Sequence, residues 1–97
     1  MPAATTRIET VEAERLIKRL CTHWAHKFAV AFGAGSGFVP FDDATSARLR
    51  AQDGCLQVTV EAIDASTLAR FQDVVASHLQ RMARAGELAI DWHPTAG

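Results

Sequence analysis

The stretch "QDGCLQVTVEA", residues 52–62, decides the architecture. In an extended chain Leu56, Val58, Val60 and Ala62 take one side, and Gln57, Thr59 and Glu61 take the other. That alternation marks a strand with one buried and one wet face, the habit of antiparallel sheets. The Asp53-Gly54 pair in front of it suits a tight hairpin turn, because both residue types tolerate unusual φ. Just upstream, Ser46, Arg48 and Arg50 alternate with Ala47, Leu49 and Ala51, which supplies the partner strand.

Working outward towards the N-terminus, Asp42-Asp43 turns the chain and Phe38 to Phe41 reads as a strand. Pro40 lacks an N–H to donate, so this strand is expected to be short, bulged or at an edge. Gly33 to Gly37 reads as a flexible turn, and Phe28, Val30 and Phe32 alternate in a strand before it. Ala13, Leu16, Ile17, Leu20, Cys21 and Trp24 recur at helical spacing, which predicts a helix over 11–26 with Thr10 as its N-cap. Residues 5–9 precede it as a short strand.

Towards the C-terminus, Asp64 is placed to cap a second helix over 65–85, with Leu68, Phe71, Val75, Leu79 and Met82 as its apolar stripe and Gly86 just past its end. Leu88, Ile90 and Trp92 alternate as a last strand. Residues 1–4 and 94–97 read as frayed tails. The expected order is β-α-β-β-β-β-α-β in one domain, residues 1–97. This is a two-layer α+β fold with both helices on one face of a mainly antiparallel sheet. The other face, bearing Arg48, Arg50, Thr59 and Glu61, is left to water or to a partner.

Composition bounds function by class. The 97 residues are 48% hydrophobic and 22% charged, with a net charge of −1, which suits a soluble globular domain. There is no basic excess for nucleic acid or an anionic membrane, and no apolar run long enough to span a bilayer. The N-terminus lacks the pattern of a signal peptide, so the expected location is the cytoplasm, with Cys21 and Cys55 as reduced thiols. No phosphate loop, zinc-protease helix, paired acids or Ser-His-Asp set appears, and no cofactor is expected.

One stretch is dense in chemistry: "CTHWAHKF", residues 21–28. On a helical wheel Trp24 falls in the buried stripe and Cys21 on one shoulder, roughly 160° from His23. The thiol and that imidazole therefore cannot serve one ion. His23 and His26 share a side, but two imidazoles are fewer than zinc requires. The plain reading makes Trp24 a core residue whose indole N–H finds a carbonyl, Cys21 an inert small hydrophobe, and His23, His26 and Lys27 a polar flank at a helix C-terminus. The sharper reading makes His23, His26 and Lys27 a ligand-binding set, joined by His78, which the second helix carries near the middle of its apolar stripe. Cys21 and Trp24 would then shape the pocket.

The segments "RLIKRLCTHWAHK" (15–27), "LARFQDVVASHL" (68–79) and "ELAIDW" (87–92) resemble a small bacterial family, domain of unknown function 2218. The similarity runs over nearly the whole chain. Members usually carry a cysteine near Ser46 and tend to read "RFAFRE" where this chain has "RMARAGE" (81–87). The resemblance implies a topology like that of the TATA-binding protein, no established activity, and a link to iron, since several members are encoded beside siderophore-interacting flavin reductases. Its distinctive polar positions fall on Cys21, His23, His26 and Lys27. The function expected is a non-enzymatic accessory module in iron or siderophore handling, taking a metal or a ferric chelate. The alternative is a structural module that docks a second copy or another protein on its open sheet face.

Overall fold

A computed structural model describes residues 2–84 and 86–95. Its elements are β1 (Ala3–Glu9), α1 (Ala13–Trp24), β2 (Ala31–Gly33), β3 (Ser36–Pro40), β4 (Ser46–Gln52), β5 (Cys55–Glu61), α2 (Ala65–Met82) and β6 (His93–Thr95). The six strands form one antiparallel sheet in the order β2-β3-β4-β5-β1-β6, and both helices pack on the same face.

The β4–β5 hairpin forms where the alternation placed it. Gln52 pairs with Cys55, and Gly54 takes φ +70°. Asp53 stays at negative φ, as Ala34 does in the β2–β3 turn beside Gly35 at +75°, so neither turn is the form in which both central residues are positive. Leu49, Val58 and Val60 face the helices and are buried, while Arg48 and Arg50 are exposed on the other side. Leu16, Ile17 and Leu20 of α1, and Val75 and Leu79 of α2, close the core over them.

Several boundaries differ from the sequence expectation. β1 begins at Ala3, because Ala3 and Ala4 are small enough to lie buried in the sheet. Helix α1 spans Ala13–Trp24 rather than 11–26. Thr10 accepts the backbone N–H of Glu12 through its hydroxyl at 3.0 Å, so its capping bond closes a turn before the helix. Pro40 is not on the edge strand. β3 lies between β2 and β4, but β2 reaches only Ser36 to Phe38, so nothing pairs with Pro40 on that side.

Helix α2 ends at Met82, and Ala83 leaves in an extended conformation. Gly86, at φ +102°, therefore turns the loop and not the helix end, and position 85, the expected last helical residue, lies outside the described residues. The expected strand over Leu88, Ile90 and Trp92 keeps its alternation but not its ladder. The Gln80 side chain donates to Leu88 O at 2.6 Å and accepts from Leu88 N at 2.9 Å, standing in for a neighbouring strand. Pairing begins only at His93 and runs to Thr95 against Thr5 to Ala3. Expectations for Met1, Ala96 and Gly97 fall outside the described residues. Glu12 fastens the two helices together. Its carboxylate pairs with Arg15 and accepts the backbone N–H of Arg84 at 3.1 Å, while Arg15 donates to Met82 O at 2.7 Å.

Two stability predictions arise here. Thr6 is buried on the core face of β1, and its hydroxyl has no hydrogen-bond partner among the described residues. An unpaired buried hydroxyl costs about 1–3 kcal/mol, and valine has nearly the same shape. Thr6→Val should raise unfolding stability by about 1 kcal/mol, read as a higher urea midpoint at unchanged slope.

The second concerns acid. Asp64 caps α2 by accepting Thr67 N at 2.8 Å, and this bond, helped by Thr67 and Ser66 side chains, holds its carboxyl below the usual carboxylate range. Asp42 is lowered likewise, first by Ala44 N and then by Thr45. A depressed folded pKa gives stability that is present above the unfolded value, about 3.9, and lost as pH falls through the folded value. Asp42→Asn/Asp64→Asn should flatten the decline of stability as pH falls below about 4, measured by denaturant titration at each pH.

Candidate functional site

The chain comes off α1 in a tight coil. Lys27 N and Phe28 N both donate to Trp24 O at 3.0 Å, and Ala25 N donates to Cys21 O at 2.9 Å. This coil holds His26 and Lys27 out in solvent, beyond the helix end. His23, on the last turn of α1, is also exposed, but its ring lies 5.2 Å from the ring of half-buried His78 on α2, centroid to centroid. Trp24 stands between them and the sheet, 4.9 Å from His78 and 5.0 Å, edge-on, from Phe41. Phe28 and Phe71 complete this aromatic corner around Phe41, at 5.2 and 4.7 Å.

His78 is anchored. Its Nδ1 lies 2.7 Å from Val74 O. A carbonyl only accepts, so Nδ1 carries the proton of this bond and Nε2 is the ring nitrogen left to take a ligand. Of the set proposed from sequence, the fold thus brings His23 and His78 together, while His26 and Lys27 make no described contact with either. Trp24 is 5% exposed and is core, as the wheel implied, but its indole N–H has no described hydrogen-bond partner, contrary to the carbonyl expected for it. Cys21 faces away from the histidines, towards β3, where its Sγ presses on Gly37. Burial pushes this thiol up, which keeps it protonated and poorly nucleophilic. Among the described residues no three of His, Cys, Asp or Glu stand close enough to hold one ion.

A second feature lies on the opposite side of the sheet. A shallow basin of about 530 Å³ is lined by Phe38, Ser36, Arg48, Arg50, Gln57 and Thr59, among others. Register builds it. Phe38, Arg48, Thr59 and Thr5 form one row across the strands, and Ser36, Arg50, Gln57 and Arg7 form the next. Arg48 and Arg50 are two residues apart on one strand, about 7 Å, and Arg7 lies two strands from Arg50, about 10 Å. The Arg48 guanidinium sits over the Phe38 ring, 4.6 Å from its centroid. One face of the cation is thereby covered and its N–H edges point outward. None of Arg7, Arg48 and Arg50 forms an ion pair with a described residue. The carboxylates of this face, Glu61 and Glu9, fall in the outer rows.

Alternation in the sequence did point Arg48 and Arg50 outward. Arg7 and Phe38 could be added only by strand register, which sets Phe38 opposite Arg48 across a hairpin and brings Arg7 into the row of Arg50 from the far end of the chain.

Comparison with known proteins agrees with the architecture. An NMR structure of PA4090 from Pseudomonas aeruginosa superimposes with a TM-score of 0.81 at 39% identity, over 96% of this chain and 96% of that one. No curated protein matches. Residues 5–93 match the family model described as "Uncharacterized protein conserved in bacteria (DUF2218)". The chain belongs to this bacterial family.

Proposed function

We propose that this domain is a non-catalytic cytoplasmic binding module that takes an anionic ligand on the arginine-bearing sheet face, in the setting of iron or siderophore handling that the family resemblance implies. One observation carries the reading: three arginines without carboxylate partners among the described residues share a face with an open basin, on a chain whose net charge is −1. Unpaired guanidiniums offer charge-assisted, bidentate bonds to oxyanions. A ferric catecholate complex is a suitable occupant, since it presents negative oxygens around flat aromatic rings that Phe38 and the stacked Arg48 can meet. Binding without chemistry agrees with the state of Cys21, whose thiol is buried and held protonated. This reading moves the ligand from His23, His26 and Lys27 to the other side of the sheet.

The test is equilibrium dialysis of the full chain against a ferric catecholate complex. The expected result is binding that weakens with salt and falls about tenfold or more in Arg48→Gln/Arg50→Gln, with His23→Ala/His26→Ala unchanged. Loss in the histidine pair with no loss in the arginine pair would return the ligand to the helix corner. No binding to any variant would end the iron reading. A second copy is the competing occupant of the same face. A solution mass that doubles with concentration, and reverts to monomer in the arginine variant, would replace ligand binding with self-association.

A further inference from the structure

We infer that His23 and His78 form a two-imidazole site for a labile, partly hydrated first-row transition ion, with copper(II) as its strongest guest. The inference is independent of the sheet-face ligand and rests on the other side of the molecule.

Three observations combine. First, the two ring centroids are 5.2 Å apart. With metal–nitrogen bonds of about 2.0–2.1 Å, two imidazoles on one ion place their centroids about 4.5 Å apart in the square-planar arrangement copper(II) prefers and about 5 Å apart in a tetrahedral one, so binding asks for a shift of less than about 1 Å between the rings. Second, the Val74 carbonyl holds Nδ1–H of His78 at 2.7 Å. A ligating histidine commonly donates its other N–H to a carbonyl, which fixes both tautomer and ring orientation and leaves Nε2 free to bind. Third, the residues come from different helices, with His78 half-buried and His23 exposed, so an ion has a fixed ligand on one side and solvent access on the other.

Since no third His, Cys, Asp or Glu stands with them among the described residues, water must fill the remaining positions. That excludes a structural zinc of the four-ligand kind and points to an exchangeable ion. The order of affinity should follow the intrinsic order for imidazole, copper(II) above nickel(II) and zinc(II). Because the ion joins α1 to α2 only in the folded chain, it should also raise thermal stability.

The chain is titrated with copper(II), nickel(II) and zinc(II) in the parent and in Trp92→Phe, which leaves Trp24, 4.9 Å from the His78 ring, as the one indole whose quenching is read, together with the melting temperature. One equivalent of copper(II) should bind, quench and raise the melting temperature. His23→Gln and His78→Gln should each weaken binding about tenfold or more, and His26→Gln should change it less than about twofold. His23→Gln replaces an exposed side chain and keeps the test valid should His78→Gln perturb packing. The idea is overturned if His26→Gln matches the loss in His23→Gln while His78→Gln binds normally, since the ion would then sit on the α1 end alone. It is equally overturned if copper(II) neither quenches nor stabilises, or binds no better than zinc(II).

Discussion

Gly37→Ala is expected to destabilise the protein by about 1–3 kcal/mol, the usual cost of forcing extra volume into a packed core. A Cβ at Gly37 would lie 2.7 Å from Cys21 Sγ and 3.1 Å from Ile17 Cγ2. Both neighbours are buried, at 0% and 1% exposure, so neither can swing out to make room. The backbone at this position does not need glycine, because its φ is not positive. Alanine is therefore rejected on volume alone, and α1 must lift from β3 to admit it. A domain of this length holds about 5–15 kcal/mol in total, so the change would be readily seen in a urea titration. The double variant Cys21→Ala/Gly37→Ala supplies the control. With Sγ gone the added methyl has space, and the double variant should be more stable than the sum of the single effects by about 1 kcal/mol. Additive losses would show that the approach of Cys21 Sγ to position 37 is not what rejects alanine.

Trp24→Ala should cost more, about 3–5 kcal/mol. The indole is 5% exposed and braced by Phe41 edge-on and by the His78 ring. Removing it leaves a large void at the point where α1, α2 and the β3–β4 loop meet. Trp24→Phe keeps the apolar body and should lose much less. Denaturant midpoints for the two variants, each compared with the parent chain, check both values. Equal losses in the two would mean that this corner requires the full indole and that a smaller apolar ring does not fill it. The same substitution bears on the copper site, because the rings of Trp24 and His23 set the walls around His78.

How the sequence relates to the fold is clearest at the elements that succeeded and failed. Alternation in residues 46–51 and 56–62 is strict, and both strands lie where it put them. The stretch 88–92 alternates just as well, and Leu88 is buried while Ala89 and Asp91 are exposed. Yet among the described residues it forms no ladder, and at Leu88 the amide of Gln80 takes both backbone hydrogen bonds. Periodicity reports which way side chains point. It does not report which group satisfies the backbone.

The candidate sites divide along the same line. Helical geometry by itself determined that Cys21 and His23 part company, because residues two apart on a coil project to opposite flanks. The two-layer architecture was likewise determined locally, by the period of the apolar pattern in each segment. What only the tertiary structure decided is which distant residues come to share a place: His23 stands beside His78, and Arg7 lies on the sheet face that carries Arg48, Arg50 and Phe38. Those meetings depend on strand order, register and the way one helix seats against another. These are set by packing between segments far apart in the chain, and no local pattern of residues encodes them.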